Sequence, residues 1–435
     1  MIRPTGRALA GIGAGLLLAT APVLFGEVWV VVWLGAISAF AVALLAEFAL
    51  LPSARRIRLE VEGPATIHLG LPAALQLHAS ATAAMRVHAI VELVGDCEPW
   101  PWLVLDCVRD RPTRIDLPLR PRRRGVLRVP AVHLRWRGPL GLLWREQRVA
   151  GDLELKVVPD FVTARQRALR LVNSRDFQLG LRIERYVGDG SEFESLREFV
   201  PGMDRRAVDW KASARHRALL CRQFRAERNH QVVLCVDCGR LMGEPLDGLP
   251  RLDHAIHAAL QLAHVCLRTG DRVGMFAFAA QGLSLTAPAA GVGALQVLQN
   301  RIAAVDYDAA ETNFTRSMTE LLQALRRRTL IVLFTDFVDS IAAELMVPNV
   351  QRLARRHVVL FVALRDPLLR RLAAAPPVDT EAVHRAVVAA EMEQERDVVL
   401  ERIRKGGALV VDAGVDDVGA ELVDRYLQQK RRELV

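Results

Sequence analysis

The stretch GSEFESLREFVPGMDRRAVDWKASARHRALLCRQFRAE, residues 190–227, runs almost directly into QVVLCVD, residues 231–237. The second piece decides the fold. Its unbroken apolar run, ending on a carboxylate, reads as a strand buried on both faces, the signature of a parallel sheet covered by helices. The first piece follows neither a helical nor a strand period. It sets Arg197, Arg205, Arg206, Arg215, Arg217, Arg222 and Arg225 around Glu192, Glu198, Asp204, Asp209, Trp210 and Lys211, with Gly202 among them.

Beyond residue 237 the pattern alternates. Helical periodicity covers 252–268, 292–304, 314–327, 341–355, 380–405 and 415–432. Apolar strand runs cover 272–279, 329–334, 357–364 and 408–411, with a hairpin-like stretch near 281–288. This predicts a mostly parallel, Rossmann-like α/β domain over 231–435 with a C-terminal helical extension. Ligands of such sheets gather at the carboxyl ends of the strands, where Asp237, Asp336 and Asp366 stand.

Upstream, residues 57–160 change to short runs of period two, such as IRLEVEG, ALQLHAS, RVHAIVEL, TRIDLPL, GVLRVPAVHLRW and LELKVV, broken by Gly and Pro. That predicts an antiparallel β-sandwich. It carries no metal-ligand or nucleophile constellation, and His68, His78, His88 and His133 read as sheet residues. Arg122-Arg123-Arg124-Gly125 reads as a solvated turn, with contact to anionic lipid as the alternative. Residues 161–230 are a linker, basic and helix-compatible over 161–173, followed by the Arg/Asp-rich stretch.

The first 56 residues predict a transmembrane helical hairpin. Ala8–Phe25 and Val28–Ala46 are uncharged, and roughly 20 residues cross a bilayer. A signal peptide, with Ala19-Thr20-Ala21 resembling a cleavage site, is the rival for the first stretch. Arg3 and Arg7 precede the pair, Arg55, Arg56 and Arg58 follow it, and the short turn has neither Lys nor Arg, so both flanks and the soluble domains are expected on the cytoplasmic side. Gly11 and Gly15 suit close helix packing. Trp29 and Trp33 suit interfacial anchoring, and Glu47 is expected at the inner edge, reaching water.

Composition narrows the partners. A 51% apolar chain with mean hydropathy +0.17 and net charge +9 fits a soluble body tied to a membrane. Arg is spread along the chain and aromatics are only 6%, which argues against a nucleic-acid binder. The six cysteines are too scattered for a disulfide framework. Cys235 and Cys238 form a CxxC pair, but inside a strand run they read as core thiols rather than a redox pair.

The pattern G-x-E-F-x-x-L-R-E-x-x-P-G-x-D-x-R-x-x-D-W-K-A-S-A-R, from Gly190 to Arg215, followed by an apolar strand ending in Asp, resembles the bacterial domain-of-unknown-function 58 family. The resemblance implies a two-helix anchor in the bacterial inner (plasma) membrane, a β domain, and a von Willebrand factor A-like domain. It also implies work with MoxR-type AAA+ ATPases in assembly or chaperone-like processes. A metal-ion-dependent adhesion site of that fold would place Asp237, Thr312 and Asp336 around a hard divalent cation such as Mg²⁺. Here both expected serines are replaced, by Gly239 and Leu241, and Arg240 adds positive charge, so a degenerate site without a working cation is expected, with a weak Mg²⁺ site held largely through waters as the alternative. Asp237 and Asp336 are then expected to accept loop N–H groups or pair with Arg240.

The motif has two readings of its own. Arg197, Arg206 and Arg215 with Glu198, Asp204 and Asp209 form either an ion-pair lattice between domains or a docking face for a partner or an anion, with Trp210 as an apolar anchor beneath the charges. No P-loop, nucleophile elbow or complete metal set is visible, so no enzyme is indicated. The expectation is a non-enzymatic scaffold or adaptor. A metal-dependent binding module is the alternative, and a hydrolase at the Arg/Asp motif the remote one.

Overall fold

A computed structural model of the chain describes residues 1–20, 22, 26, 28–109, 111–172, 187–200, 208–216, 218–225, 230–281, 284–337, 343–376 and 378–431. It forms two compact units, Met1–Val158 and Pro159–Val435.

The first unit runs β1 (Ile2–Pro4), α1 (Gly6–Leu18), α2 (Val28–Leu50), β2 (Ile57–Glu62), β3 (Thr66–His68), β4 (Ala73–Ala81), β5 (Met85–Val94), β6 (Leu103–Cys107), β7 (Thr113–Leu119), β8 (Gly125–Arg137) and β9 (Leu143–Val158). Two sheets result: β1-β9-β8-β5-β6, antiparallel along its path with β3 parallel to β9, and antiparallel β2-β4-β7. The period-two runs bury alternate residues. In β4, Leu75, Leu77, Ala79 and Ala81 are buried while Gln76, His78 and Ser80 between them are half-buried. All four strand histidines lie in strands as expected, but Arg124 of the expected solvated turn is buried.

Val28–Leu50 is the one described helix long and apolar enough to cross a membrane. The first apolar stretch gives a helix of only 13 residues, roughly 20 Å at 1.5 Å per residue. Thr5 caps α1, and α1 meets α2 at its glycines. The Trp33 indole donates to the Gly15 carbonyl at 3.0 Å, and a Cβ on Gly11 would meet the Phe40 ring at 2.6 Å.

Glu47 departs from its expected place in water. It is fully buried, accepting the backbone N–H groups of Leu140 (2.7 Å), Leu142 (3.0 Å) and Leu143 (3.3 Å) from the β8–β9 turn. Gly138 permits the approach, since a Cβ there would lie 2.6 Å from Oε1. Thr5 holds the same turn from α1, donating to Gly141 O at 2.8 Å, and the Trp136 indole and the Arg145 guanidinium both donate to Pro52 O. The apolar helices and the β sheet are therefore one unit.

The second unit runs α3 (Phe161–Val172), β10 (Val187–Glu198), α4 (Trp210–His216), β11 (Leu220–Arg225), β12 (Gln231–Asp237), β13 (Pro245–Leu246), β14 (Leu249–Pro250), α5 (Arg251–Arg268), β15 (Arg272–Phe278), β16 (Ser284–Ala289), α6 (Val292–Ala303), α7 (Phe314–Ala324), β17 (Leu330–Phe334), α8 (Ala343–Ala354), β18 (Val358–Leu364), α9 (Pro367–Ala374), α10 (Thr380–Lys405), β19 (Leu409–Ala413) and α11 (Val418–Arg431). Its main sheet has the order β16-β15-β12-β17-β18-β19, parallel except for the antiparallel edge strand β16.

The run QVVLCVD is apolar throughout because each face meets a different core. Val232, Leu234 and Val236 pack with α5 residues such as Ile256 and Leu260, whereas Val233 and Cys235 pack with Met318, Val350 and Leu400 of α7, α8 and α10. Cys235 and Cys238 are both buried, and burial pushes the Cys235 thiol far up, away from redox chemistry. Residues 161–172 are not a linker. Ala164 and Ala168 join the α5 core, because a small-residue stripe lets α3 lie close against α5.

Candidate functional site

Four parallel strands, β12, β17, β18 and β19, end on the same side of the sheet, and a chain of hydrogen-bonded and ion-paired side chains lies at their ends. Asp237 closes β12 and is 4% exposed. Its Oδ1 accepts the Gly239 N–H at 2.9 Å and the Thr312 hydroxyl at 2.5 Å, and its Oδ2 accepts the Thr335 hydroxyl at 2.6 Å. Burial raises the Asp237 carboxyl above the ordinary range, the three donors oppose that rise, and the like charge of Asp336 adds to it.

Asp336, just past β17, is handled differently. Its Oδ1 accepts from Arg396 of α10 at 2.9 Å and from the Phe337 N–H at 3.0 Å, and its Oδ2 accepts from Arg251 at the start of α5 at 2.5 Å. Arg251 continues to Asp366 beyond β18 at 3.5 Å, and Arg396 continues to Asp412 of β19 at 3.3 Å. Arg365 closes the series on Asp412 at 2.8 Å. The result is a row of alternating charge, Asp366–Arg251–Asp336–Arg396–Asp412–Arg365. Burial works against the charge on Arg396, but Asp336 and Asp412 together hold its pKa above the ordinary value.

A hard divalent cation fits this set poorly. Such an ion needs carboxylate oxygens free to face it in a near-octahedral array. Both oxygens of Asp336 already face a guanidinium, and Asp237 is closed by two hydroxyls and an amide. Position 239 cannot supply a hydroxyl either, because a Cβ on Gly239 would collide with Thr312 Oγ1. Among the described residues no group of three or more His, Cys, Asp or Glu side chains is arranged to hold a metal. Loop N–H groups do reach both carboxylates, as the sequence suggests, but Arg240 does not. It pairs with Glu244 and Glu311, and Arg251 and Arg396 take the place expected for it.

The Arg/Asp motif lies elsewhere in the same unit. Gly202, Asp204 and Arg206 fall outside the described residues, as do the side chains of Glu192 and Arg197. The backbone of both belongs to β10, which pairs antiparallel with β11, Glu192 opposite Arg225 and Arg197 opposite Cys221. Asp209 is the N-cap of α4, its Oδ1 accepting the N–H groups of Lys211 (3.1 Å) and Ala212 (3.0 Å). Ser213 faces inward and exchanges hydrogen bonds with Leu220 N and O. Lys211, Arg215 and Glu198 are exposed. Trp210 is not an anchor beneath the charges. It is 71% exposed, because the Asp209 cap puts it in the first turn of a short helix whose buried face is given by Ser213.

Sequence reasoning found Asp237, Thr312, Asp336 and Asp366 but missed Arg251, Arg396, Arg365 and Asp412. A cation expected somewhere opposite the strand-end acids was the available signal, and it was spent on the neighbour Arg240.

Residues 195–405 match the model of the family described as "Protein of unknown function DUF58". Uncharacterized proteins of Mycobacterium tuberculosis (strain ATCC 25618 / H37Rv) and Mycobacterium bovis are each 29% identical over 184 residues, 41% of this chain and 56% of their own length. The match thus spans little more than half of those relatives. Among solved structures, a conserved hypothetical protein BatB from Bacteroides thetaiotaomicron is 14% identical, covering 46% of this chain and 99% of that one, with a TM-score of 0.29. An uncharacterized membrane spanning protein from Vibrio fischeri is 13% identical, covering 45% and 95%, with a TM-score of 0.16. Scores so low say nothing about the fold.

Proposed function

We propose, from the match of residues 195–405 to the DUF58 family of proteins of unknown function, a non-enzymatic, membrane-anchored adaptor that docks a protein partner on its second unit. One observation carries the reading: Trp210 stands 71% exposed on a helix fixed by an Asp209 cap, flanked by exposed Lys211, Arg215 and Glu198. A large rigid aromatic amid charges is the residue type on which protein interfaces concentrate their binding energy. The strand-end cluster supports the same reading, since its acids are engaged by the chain's own arginines and hydroxyls and present neither base nor nucleophile.

The second unit is taken as a von Willebrand factor A-like domain, on the juxtaposition of Asp237, Thr312 and Asp336 at the ends of β12 and β17. The partner proposed is a MoxR-type AAA+ ATPase, since the chain has no GxxxxGK[ST] loop of its own. The anchor is proposed as two-pass, with both termini and soluble units in the cytoplasm of a bacterial cell. The test is a pull-down from detergent-solubilised membranes with wild type and Trp210→Ala, with and without nucleotide. An AAA+ ATPase captured by wild type and reduced at least ten-fold by Trp210→Ala is the expected result. Its absence from every wild-type sample overturns the partnership. A reporter fused after Val435 that behaves as periplasmic overturns the topology.

A further inference from the structure

The outer face of the first unit's larger sheet carries an arrangement the adaptor reading does not use. Arg135 of β8 lies over the Trp102 ring, 3.8 Å from its centroid, and 5.0 Å from that of Trp144. Arg137, two residues on, lies 4.3 Å from the Trp144 centroid, and His88 meets the same indole edge-on at 5.4 Å. Two guanidinium groups are thus held over aromatic faces, a cation–π contact that restrains them, and the exposed Arg137 presents its N–H groups outward. Neighbouring arginines are neutralised: Arg86 pairs with Asp106 at 2.7 Å and Arg3 with Glu146 at 3.2 Å. Among the described residues Arg135 and Arg137 have no carboxylate partner, and Arg135 Nε is buried with no hydrogen-bond partner. His88 reports the resulting field: burial lowers its pKa first, and then Arg135, Arg137 and Arg86 lower it further.

The position of this face decides what it meets. Trp144 pairs with Arg3 and Leu143 with Pro4 in the β1–β9 ladder, and α1 begins at Gly6. Arg137 pairs with Trp144 and directly precedes the turn that grips Glu47 in the last turn of α2. A side chain two strand residues away is displaced by about 7 Å, comparable to the headgroup layer on one side of a bilayer, about 5–7 Å. Trp and Arg together at that depth are the residues that settle in the interface.

We propose that the Arg135–Arg137 face, stacked on Trp102 and Trp144, binds the phosphate of anionic lipid headgroups beside the anchor. Two fixed, unpaired guanidinium forks match a phosphodiester bidentately, and the continuity of the face with the apolar helix argues for a lipid occupant. The proposal rests on α2 crossing the membrane.

The test uses the full chain in mild detergent, with native mass spectrometry counting retained phosphatidylglycerol against phosphatidylcholine, and carbonate extraction of the parent membranes. Wild type should prefer phosphatidylglycerol, and Arg135→Gln and Arg137→Gln should each weaken that preference about five-fold, the equivalent of about 1 kcal/mol per arginine. Arg122→Gln, on the distant β7–β8 turn, should leave it unchanged. Retained protein that binds both lipids equally, or a double glutamine variant that keeps the preference, overturns the proposal while leaving the anchor intact. Carbonate release of wild type overturns anchor and proposal together. Displacement of the lipid by inorganic phosphate alone assigns the face to a free anion and overturns the lipid reading.

Discussion

Glu47 in the first unit and Asp336 in the second are both carboxylates at least nine-tenths buried, and they are held by opposite means. Glu47 faces only neutral backbone donors from Leu140, Leu142 and Leu143. Asp336 faces two arginines drawn from α5 and α10. Backbone donors come with the chain whatever the side chains, so the first joint constrains sequence at one position, Gly138. The second is built from side chains that must all be right, because removal of one leaves its partner charged and buried. The first device tolerates neighbouring change, and the second specifies one arrangement.

The largest effect should therefore come from Asp336→Ala. It removes the acid that Arg251 and Arg396 share and leaves each with one carboxylate, Asp366 and Asp412, so two largely buried cations are under-compensated, a loss of up to about 3–5 kcal/mol. Pulse proteolysis in urea on the detergent-solubilised chain would read it, and an unchanged second-unit midpoint would show the row to be dispensable. Glu47→Ala comes next. It leaves three amides without their acceptor, about 2–4 kcal/mol local to the turn. Hydrogen exchange should show faster exchange at Leu140, Leu142 and Leu143 with the second unit unaffected. Gly138→Ala should mimic it, since the added Cβ cannot coexist with the carboxylate.

Gly239→Ser is smaller, about 1–3 kcal/mol, because the new Cβ displaces the Thr312 hydroxyl from Asp237. Adding Thr312→Ala should recover part of the loss, a coupling a double-mutant cycle measures. The smallest effect is that of mild acid on the second unit. Burial, the largest influence on each, holds His254, His264 and His357 below the ordinary histidine value. The folded chain then binds fewer protons than the unfolded one, so their contribution is full above about pH 6.5 and lost as the pH falls below it. Asp237 has the opposite sign: its raised carboxyl costs stability as the pH rises out of the ordinary carboxylate range. Asp237→Asn should remove that slope while leaving the histidine slope in place.

Periodicity made much of this legible. The alternation in 73–81 and 113–119 and the solid apolar runs at 231–236 and 358–364 each record how many faces of a strand are covered, a local property. Strand β6 and the three-residue strands β1 and β3 escaped because so few residues carry no readable period. The strand-end acids were visible because a carboxylate after an apolar run stands out. Their arginine partners were not, since Arg251 and Arg396 lie 85 and 60 residues from Asp336 and look like any surface arginine on a helix. Trp210 was misplaced for a related reason: residue type suggested burial, whereas a cap one residue earlier fixed which way the side chain faces.

The grip on Glu47 also has a mechanical meaning. Once α2 sits in a bilayer, a helix pinned in its last turn to a sheet cannot tilt alone. The 13-residue strand β8 extends about 44 Å from that joint at 3.4 Å per residue. A change in bilayer thickness that reoriented the helix by about 10°, well within the usual spread of tilts, would swing the far end of the strand through about 8 Å. The first unit would then move as a lever about the joint that Glu47, Thr5, Trp136 and Arg145 hold, and a change in membrane thickness would displace its far edge.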